Sequence, residues 1–126
     1  MIAAQDLRIG NWLIFDGRYF QIDCIAKDAP FLNTEEFGVG VVSYKNIMPI
    51  NLSHKILEKC GFKNDHSTFE YADGSNNEKL FISWIDGGYV VELQNGEKNI
   101  SIELKYLHQL QNLYYCLVGQ ELQVKL

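Results

Sequence analysis

Tyr106-Leu107-His108-Gln109-Leu110-Gln111-Asn112-Leu113-Tyr114-Tyr115-Cys116-Leu117-Val118, closed by Gly119, is the stretch on which the architecture turns. On a helical wheel Tyr106, Leu107, Leu110, Leu113, Tyr114, Leu117 and Val118 fill one arc of roughly 140°, the width of a core-facing stripe. Gly119 supplies the left-handed residue that ends a helix. A stripe this wide needs a hydrophobic surface to lie on. The segments before it read as a sheet with one apolar face in need of a cover.

That sheet is an antiparallel meander. Thr68-Phe69-Glu70-Tyr71 alternates, and Asp73 to Asn77 is a loop. Leu80-Phe81-Ile82-Ser83-Trp84-Ile85 is apolar almost throughout, the mark of a central strand. Asp86-Gly87-Gly88 turns the chain. Tyr89, Val91 and Leu93 then face one way and Val90 and Glu92 the other. Asn95-Gly96 marks another hairpin, after which Ile100, Ile102 and Leu104 alternate with Ser101 and Glu103. The pattern predicts four strands covered by the C-terminal helix, and the alternation in Glu121 to Leu126 predicts a last short strand.

The first fifty residues also read as β. Asn11 to Phe15 meets Asp16-Gly17, a dipeptide suited to a two-residue hairpin because both positions tolerate positive φ. Arg18 to Ala26 returns, and a loop at Asp28-Ala29-Pro30 leads to Phe37 to Tyr44, whose Gly38 and Gly40 point to a bend or bulge. Ile47-Met48-Pro49-Ile50 reads as a short closing edge strand. Short strands bent back on one another describe a small SH3-like barrel. Between the halves, Ser53 caps a helix over Ser53 to Cys60, Leu52 and Leu57 form a hydrophobic staple, and Gly61 ends it. The expected class is therefore α+β: an SH3-like β-barrel half over 1–52, then helix, antiparallel sheet and C-terminal helix over 53–126, built as one compact unit.

Composition bounds the function. The chain has 126 residues, 47% hydrophobic and 21% charged, enough to bury a core. Lys+Arg 11 against Asp+Glu 16 gives a net charge of −5, which argues against general electrostatic attraction to nucleic acid or anionic lipid. The acidic excess lies mainly beyond residue 62, so any nucleic-acid contact belongs to the first half. The start shows no basic region followed by a long apolar run, and no stretch approaches the ~20 apolar residues of a membrane span. Cys24, Cys60 and Cys116 have neither disulfide nor zinc spacing. The expectation is a cytoplasmic protein with reduced thiols and no membrane contact.

Chemical motifs are sparse. Ser53-His54 places a hydroxyl beside an imidazole, but capping accounts for Ser53. His54, His66 and His108 lack ligand spacing, Glu35-Glu36 sits on a loop, and Gly38-Val39-Gly40 falls short of a dinucleotide fingerprint. No catalytic residue, metal ligand or cofactor is expected.

Two surfaces stand out. Tyr106 to Gln120 contains no Lys, Arg, Asp or Glu, although a fifth of the chain is charged. Its polar side carries His108, Gln109, Gln111, Asn112, Tyr115 and Cys116. Uncharged amides and rings suit a contact surface because they cost less to desolvate than ions. They equally suit burial under the chain's own N-terminal half, with the amides bonded to loop backbone. Both readings stand at this point. The first makes His108, Gln109, Gln111, Asn112 and Tyr115 an interface for a protein partner or a second copy. The other surface is aromatic: Trp12, Phe15, Tyr19, Phe20 and Phe31 gather in the first half, and small barrels bind peptide or single-stranded nucleic acid through such rings. Most must fill the core, which leaves Trp12, Tyr19 and Phe31 as the candidate aromatic surface.

Asp6-Leu7-Arg8-Ile9-Gly10-Asn11-Trp12, Ile47 to Ser53, Cys60-Gly61-Phe62 and above all His108-Gln109-Leu110-Gln111-Asn112-Leu113-Tyr114 resemble a family of short uncharacterised proteins. That family belongs to gut-type bacterial genomes and their phages or mobile elements. The resemblance spans nearly the whole chain. It departs at the short helix, where family members often have Pro at the position of Asn51, acidic residues at His54 and Lys55, and Trp at Ile56. It implies one architecture throughout and a small accessory role; it implies no activity. The expected function is a non-enzymatic accessory protein acting through protein–protein contacts, with a nucleic-acid-associated module using the aromatic half as the alternative.

Overall fold

The computed structural model describes residues 6–25, 30–34, 38–42, 46–65, 68–71, 80–95 and 98–126. It is an α+β protein with two antiparallel sheets and two helices, and it divides into two units. Unit 1 is Met1–Asn51 with Tyr106–Glu121; unit 2 is Leu52–Lys105 with Leu122–Leu126.

Unit 1 holds β1 (Trp12–Phe15), β2 (Arg18–Ile25), β3 (Pro30–Thr34) and β4 (Gly38–Val41), ordered β1-β2-β3-β4. Asp16 and Gly17 take φ of 51° and 74°, as the two-residue hairpin requires. Pairing of Leu13 with Phe20 sets the register, so Leu13, Phe15, Phe20 and Ile22 share one face. That face is the core: Leu7, Leu13, Ile22, Val42 and Ile47 are buried, with Phe15, Phe20 and Ile25 packed against them. Ile25 reaches it because the register shifts between Ile22 and Cys24. The bend expected at Gly38 and Gly40 lies instead at that bulge in β2; β3 and β4 pair without interruption. An extra residue re-aims the strand where a large side chain must rejoin the core. The expected closing strand at 47–50 is an isolated bridge between Ile14 and Met48, and no sheet is closed.

The second helix, α2 (Leu107–Val118), belongs to unit 1 and packs on β1. The sequence pattern assigned it to the second half as a cover, and this is the principal correction. A stripe of apolar side chains specifies burial; it does not specify the partner. The chain delivers α2 to unit 1 through backbone pairing: Asn51 bridges Tyr106, and the Leu107 N–H donates to the Ile50 carbonyl at 2.8 Å. At its start the Tyr106 N–H donates to Gln109 Oε1 at 3.0 Å. Its end is Gly119, in the left-handed region, donating to the Tyr115 carbonyl.

Unit 2 holds α1 (His54–Lys59), β5 (Phe62–Asp65), β6 (Thr68–Tyr71), β7 (Leu80–Ile85), β8 (Gly88–Asn95) and β9 (Lys98–Leu104). Its sheet has five strands in sequence order, not four, because β5 pairs with β6 as soon as α1 ends. The apolar strand β7 is central, as its composition required. Ile82, Val91 and Ile102 form one row across the sheet, and Trp84, Tyr89 and Leu104 the next on the same face. Ser53 Oγ accepts from the Ile56 N–H at 3.1 Å, and the staple residues Leu52 and Leu57 are both buried. Residues 121–126 form no strand: Leu122 is buried, and the Lys125 N–H donates to the Lys59 carbonyl at 3.0 Å.

Candidate functional site

The amides of α2 are spent inside unit 1. Gln111, 1% exposed, accepts from the Trp12 N–H at 2.8 Å and donates to the Gly10 carbonyl at 2.9 Å. Asn112 Oδ1 accepts from Asn11 Nδ2 at 2.8 Å and from Arg8 Nε at 3.2 Å, while its Nδ2 donates to the Asp6 carbonyl at 3.0 Å. Asn11, fully buried, also accepts from the Arg8 N–H at 2.7 Å. The Arg8 guanidinium forks onto the Glu121 carboxylate, with Nη2 to Oε2 at 3.0 Å, and lies 4.4 Å above the Tyr115 ring. The hydrogen bonds that Arg8 donates to the Glu121 carboxylate raise the Arg8 pKa, against the opposing effect of burial.

This network joins the stretch Asp6 to Trp12 to the helix stretch His108 to Tyr114. The loop at Asp6 to Trp12 exposes backbone donors and acceptors that no strand satisfies, and α2 answers them with side-chain amides. A charged side chain in place of Gln111 would have to be desolvated there. Gly10 holds φ of 99°, and a Cβ on it would lie 3.3 Å from Glu121 Oε1. The positive φ favours glycine, and any Cβ would also press on the end of the Glu121 side chain.

Of the five residues read as an interface on α2, Gln111 and His108 are buried, Asn112 is half-buried and bonded internally, and Gln109 caps its own helix. Tyr115 is 43% exposed under Arg8. The alternative reading, cover within the same chain with amides on loop backbone, describes Gln111 and Asn112; Gln109, Tyr115 and Cys116 are exposed. His108 is 3% exposed, stacks on Tyr106, and its Nδ1 has no hydrogen-bond partner among the described residues. Burial lowers its pKa below 6.5, partly offset by the Asp6 charge. The unfolded chain then binds the proton more readily than the folded one. Stability contributed by neutral His108 is complete above pH ~6.5 and is lost progressively as pH falls from there to the depressed folded value. Urea midpoints measured across that range are expected to fall for the wild type, and to fall less for His108→Phe.

The aromatic surface fares differently. Tyr19 is 47% exposed, Trp12 is half-buried, and the Phe31 side chain lies outside the described residues. Tyr19 pairs with Ile14, and Ile14 bridges Met48, which is 62% exposed. Trp12 and its partner Gln21 share that face. The row Met48–Ile14–Tyr19, with Trp12 and Gln21 beside it, contains no charged side chain. Sequence reading missed Met48 because only the bridge reveals which way it faces.

Unit 2 offers no catalytic grouping among its described residues. His54 Nδ1 lies 2.6 Å from Tyr89 Oη, and Trp84 packs edgewise on both rings. Burial raises the Tyr89 pKa. Burial also pushes the Cys60 thiol up to about 12, so it stays protonated and unreactive near neutrality. Cys60 and Cys116 are free, and no group of three potential metal ligands occurs among the described residues. Among the described residues no helix is long and apolar enough to cross a membrane. Comparison with protein-family models, curated proteins and solved structures finds no match.

Proposed function

We propose that this is a non-enzymatic accessory protein that acts through protein–protein contacts, and that its contact surface is the outward row of unit 1, Trp12, Ile14, Tyr19 and Met48. The exposure of Tyr19 and Met48 on either side of Ile14 carries the proposal. Large apolar side chains aligned across strands, with no ions among them, resemble the desolvated centre of a protein interface. The lack of Lys and Arg from the row disfavours the alternative, a nucleic-acid-associated module, since phosphates would find no cation there. The proposal retains an SH3-like N-terminal half. It is supported by the spatial order residue 48, β1, β2, β3, β4, in which the last segment returns beside the first. A cytoplasmic setting is proposed from the cysteine spacing and the absence of a long apolar run, and a setting in bacteria, their phages or mobile elements from the motif resemblance alone.

Affinity capture from the native lysate, run in parallel with wild type and with Tyr19→Asp and Met48→Asp, tests the reading. A protein retained by the wild type and lost at least tenfold from both variants is expected, for a central interface side chain contributes on the order of 1–2 kcal/mol or more. Both sites are exposed, so urea midpoints should stay near the wild-type value. Equal capture by all three proteins, or a salt-dependent shift with single-stranded DNA that both substitutions abolish, would overturn it.

A further inference from the structure

Unit 2 contains a depression of about 670 Å³ lined by Lys55, Glu58, Lys59, Cys60, Gly61, Gln123 and Lys125. Lys55 and Lys59 stand four residues apart on α1, a spacing at which like charges repel. The bond from the Lys125 N–H to the Lys59 carbonyl brings a third lysine to the same place. None of the three forms an ion pair among the described residues. The fold has no use for these charges together: α1 is held by its cap and by buried Ile56 and Leu57, and the tail by Leu122. Three ammonium groups against the Glu58 carboxylate leave two positive charges around a concavity, within a chain of net charge −5. Cys60 adds no negative charge, since its thiol is buried and protonated.

We propose that this depression binds a small ligand through a phosphate monoester group. Such a group carries about −1.5 to −2 at pH 7 and three acceptor oxygens. It therefore matches the local excess of two charges and the three lysines. The Gln123 amide supplies a further donor, and the volume lies in the range of small-molecule sites, roughly 300–1,000 Å³. Glu58 on the rim acts against the anion and sets the sign of a control. This site is independent of the protein-contact reading and involves none of its residues.

Calorimetric titration of the full chain with inorganic phosphate and with glycerol 3-phosphate, at constant ionic strength against chloride, tests it. Saturable binding is expected, weakened roughly two- to fivefold by each of Lys55→Gln, Lys59→Gln and Lys125→Gln, and strengthened by Glu58→Gln. The three lysine heads are not needed for folding, so unchanged urea midpoints separate loss of binding from loss of structure. No saturable heat at low salt, or binding indifferent to all four substitutions, would overturn the proposal. A short single-stranded oligonucleotide that binds through the same lysines far more tightly than glycerol 3-phosphate would also overturn it, by assigning the phosphates to nucleic acid.

Discussion

Gln111→Leu is expected to cost about 2–4 kcal/mol of stability, although the two side chains are close in size and the site is buried. Leucine leaves the Trp12 N–H without its acceptor. An unsatisfied buried donor costs about 1–3 kcal/mol. The bond to the Gly10 carbonyl is lost as well, but Gly10 keeps the Gln21 Nε2 donor at 3.0 Å, so that loss adds only about 0.5–1.5 kcal/mol. Urea unfolding gives the total, and hydrogen exchange at the Trp12 amide localises it. Cys116→Ala on the exposed side of α2 should change stability by less than about 0.5 kcal/mol. If Gln111→Leu proves neutral or stabilising, α2 is not fastened to the Gly10–Trp12 loop as described.

Leu13→Ala should be as damaging, by about 2–5 kcal/mol, because Leu13 is fully buried among Leu7, Ile22, Val42 and Ile47 and the cavity cannot fully collapse. Its neighbour Ile14 faces outward beside Tyr19 and Met48, so Ile14→Ala should cost under about 1 kcal/mol. The contrast between adjacent residues reads the strand register directly. A shift of one residue would exchange the two results. Ile14→Ala should still weaken partner capture, which separates a contact role from a packing role on one strand.

Much of this was legible in the letters because it depends on near neighbours. The Asp16-Gly17 hairpin, the Ser53 cap, the Leu52–Leu57 staple and the termination of α2 at Gly119 each involve residues a few positions apart. The alternation in β8 and β9 likewise followed from period two. The candidate site was only half legible. The absence of charge from Tyr106 to Gln120 matches the burial of His108 and Gln111, but Gln109, Tyr115 and Cys116 are exposed, and the letters carried no information about which residues would be covered or by what. Gln111 and Trp12 lie 99 positions apart, and no local pattern relates them.

By itself, then, the sequence determined the class, most strand and helix positions, and which helix face avoids ions, since propensity, turn chemistry and hydrophobic period act over a single turn or hairpin. Tertiary structure alone decided that α2 joins unit 1, that its amides satisfy the Asp6 to Trp12 loop, and that Met48 extends the apolar row. It also brought Lys125 back to Lys55 and Lys59. Those outcomes depend on which distant backbone groups remain unpaired once the sheets have formed, a property of the folded chain as a whole.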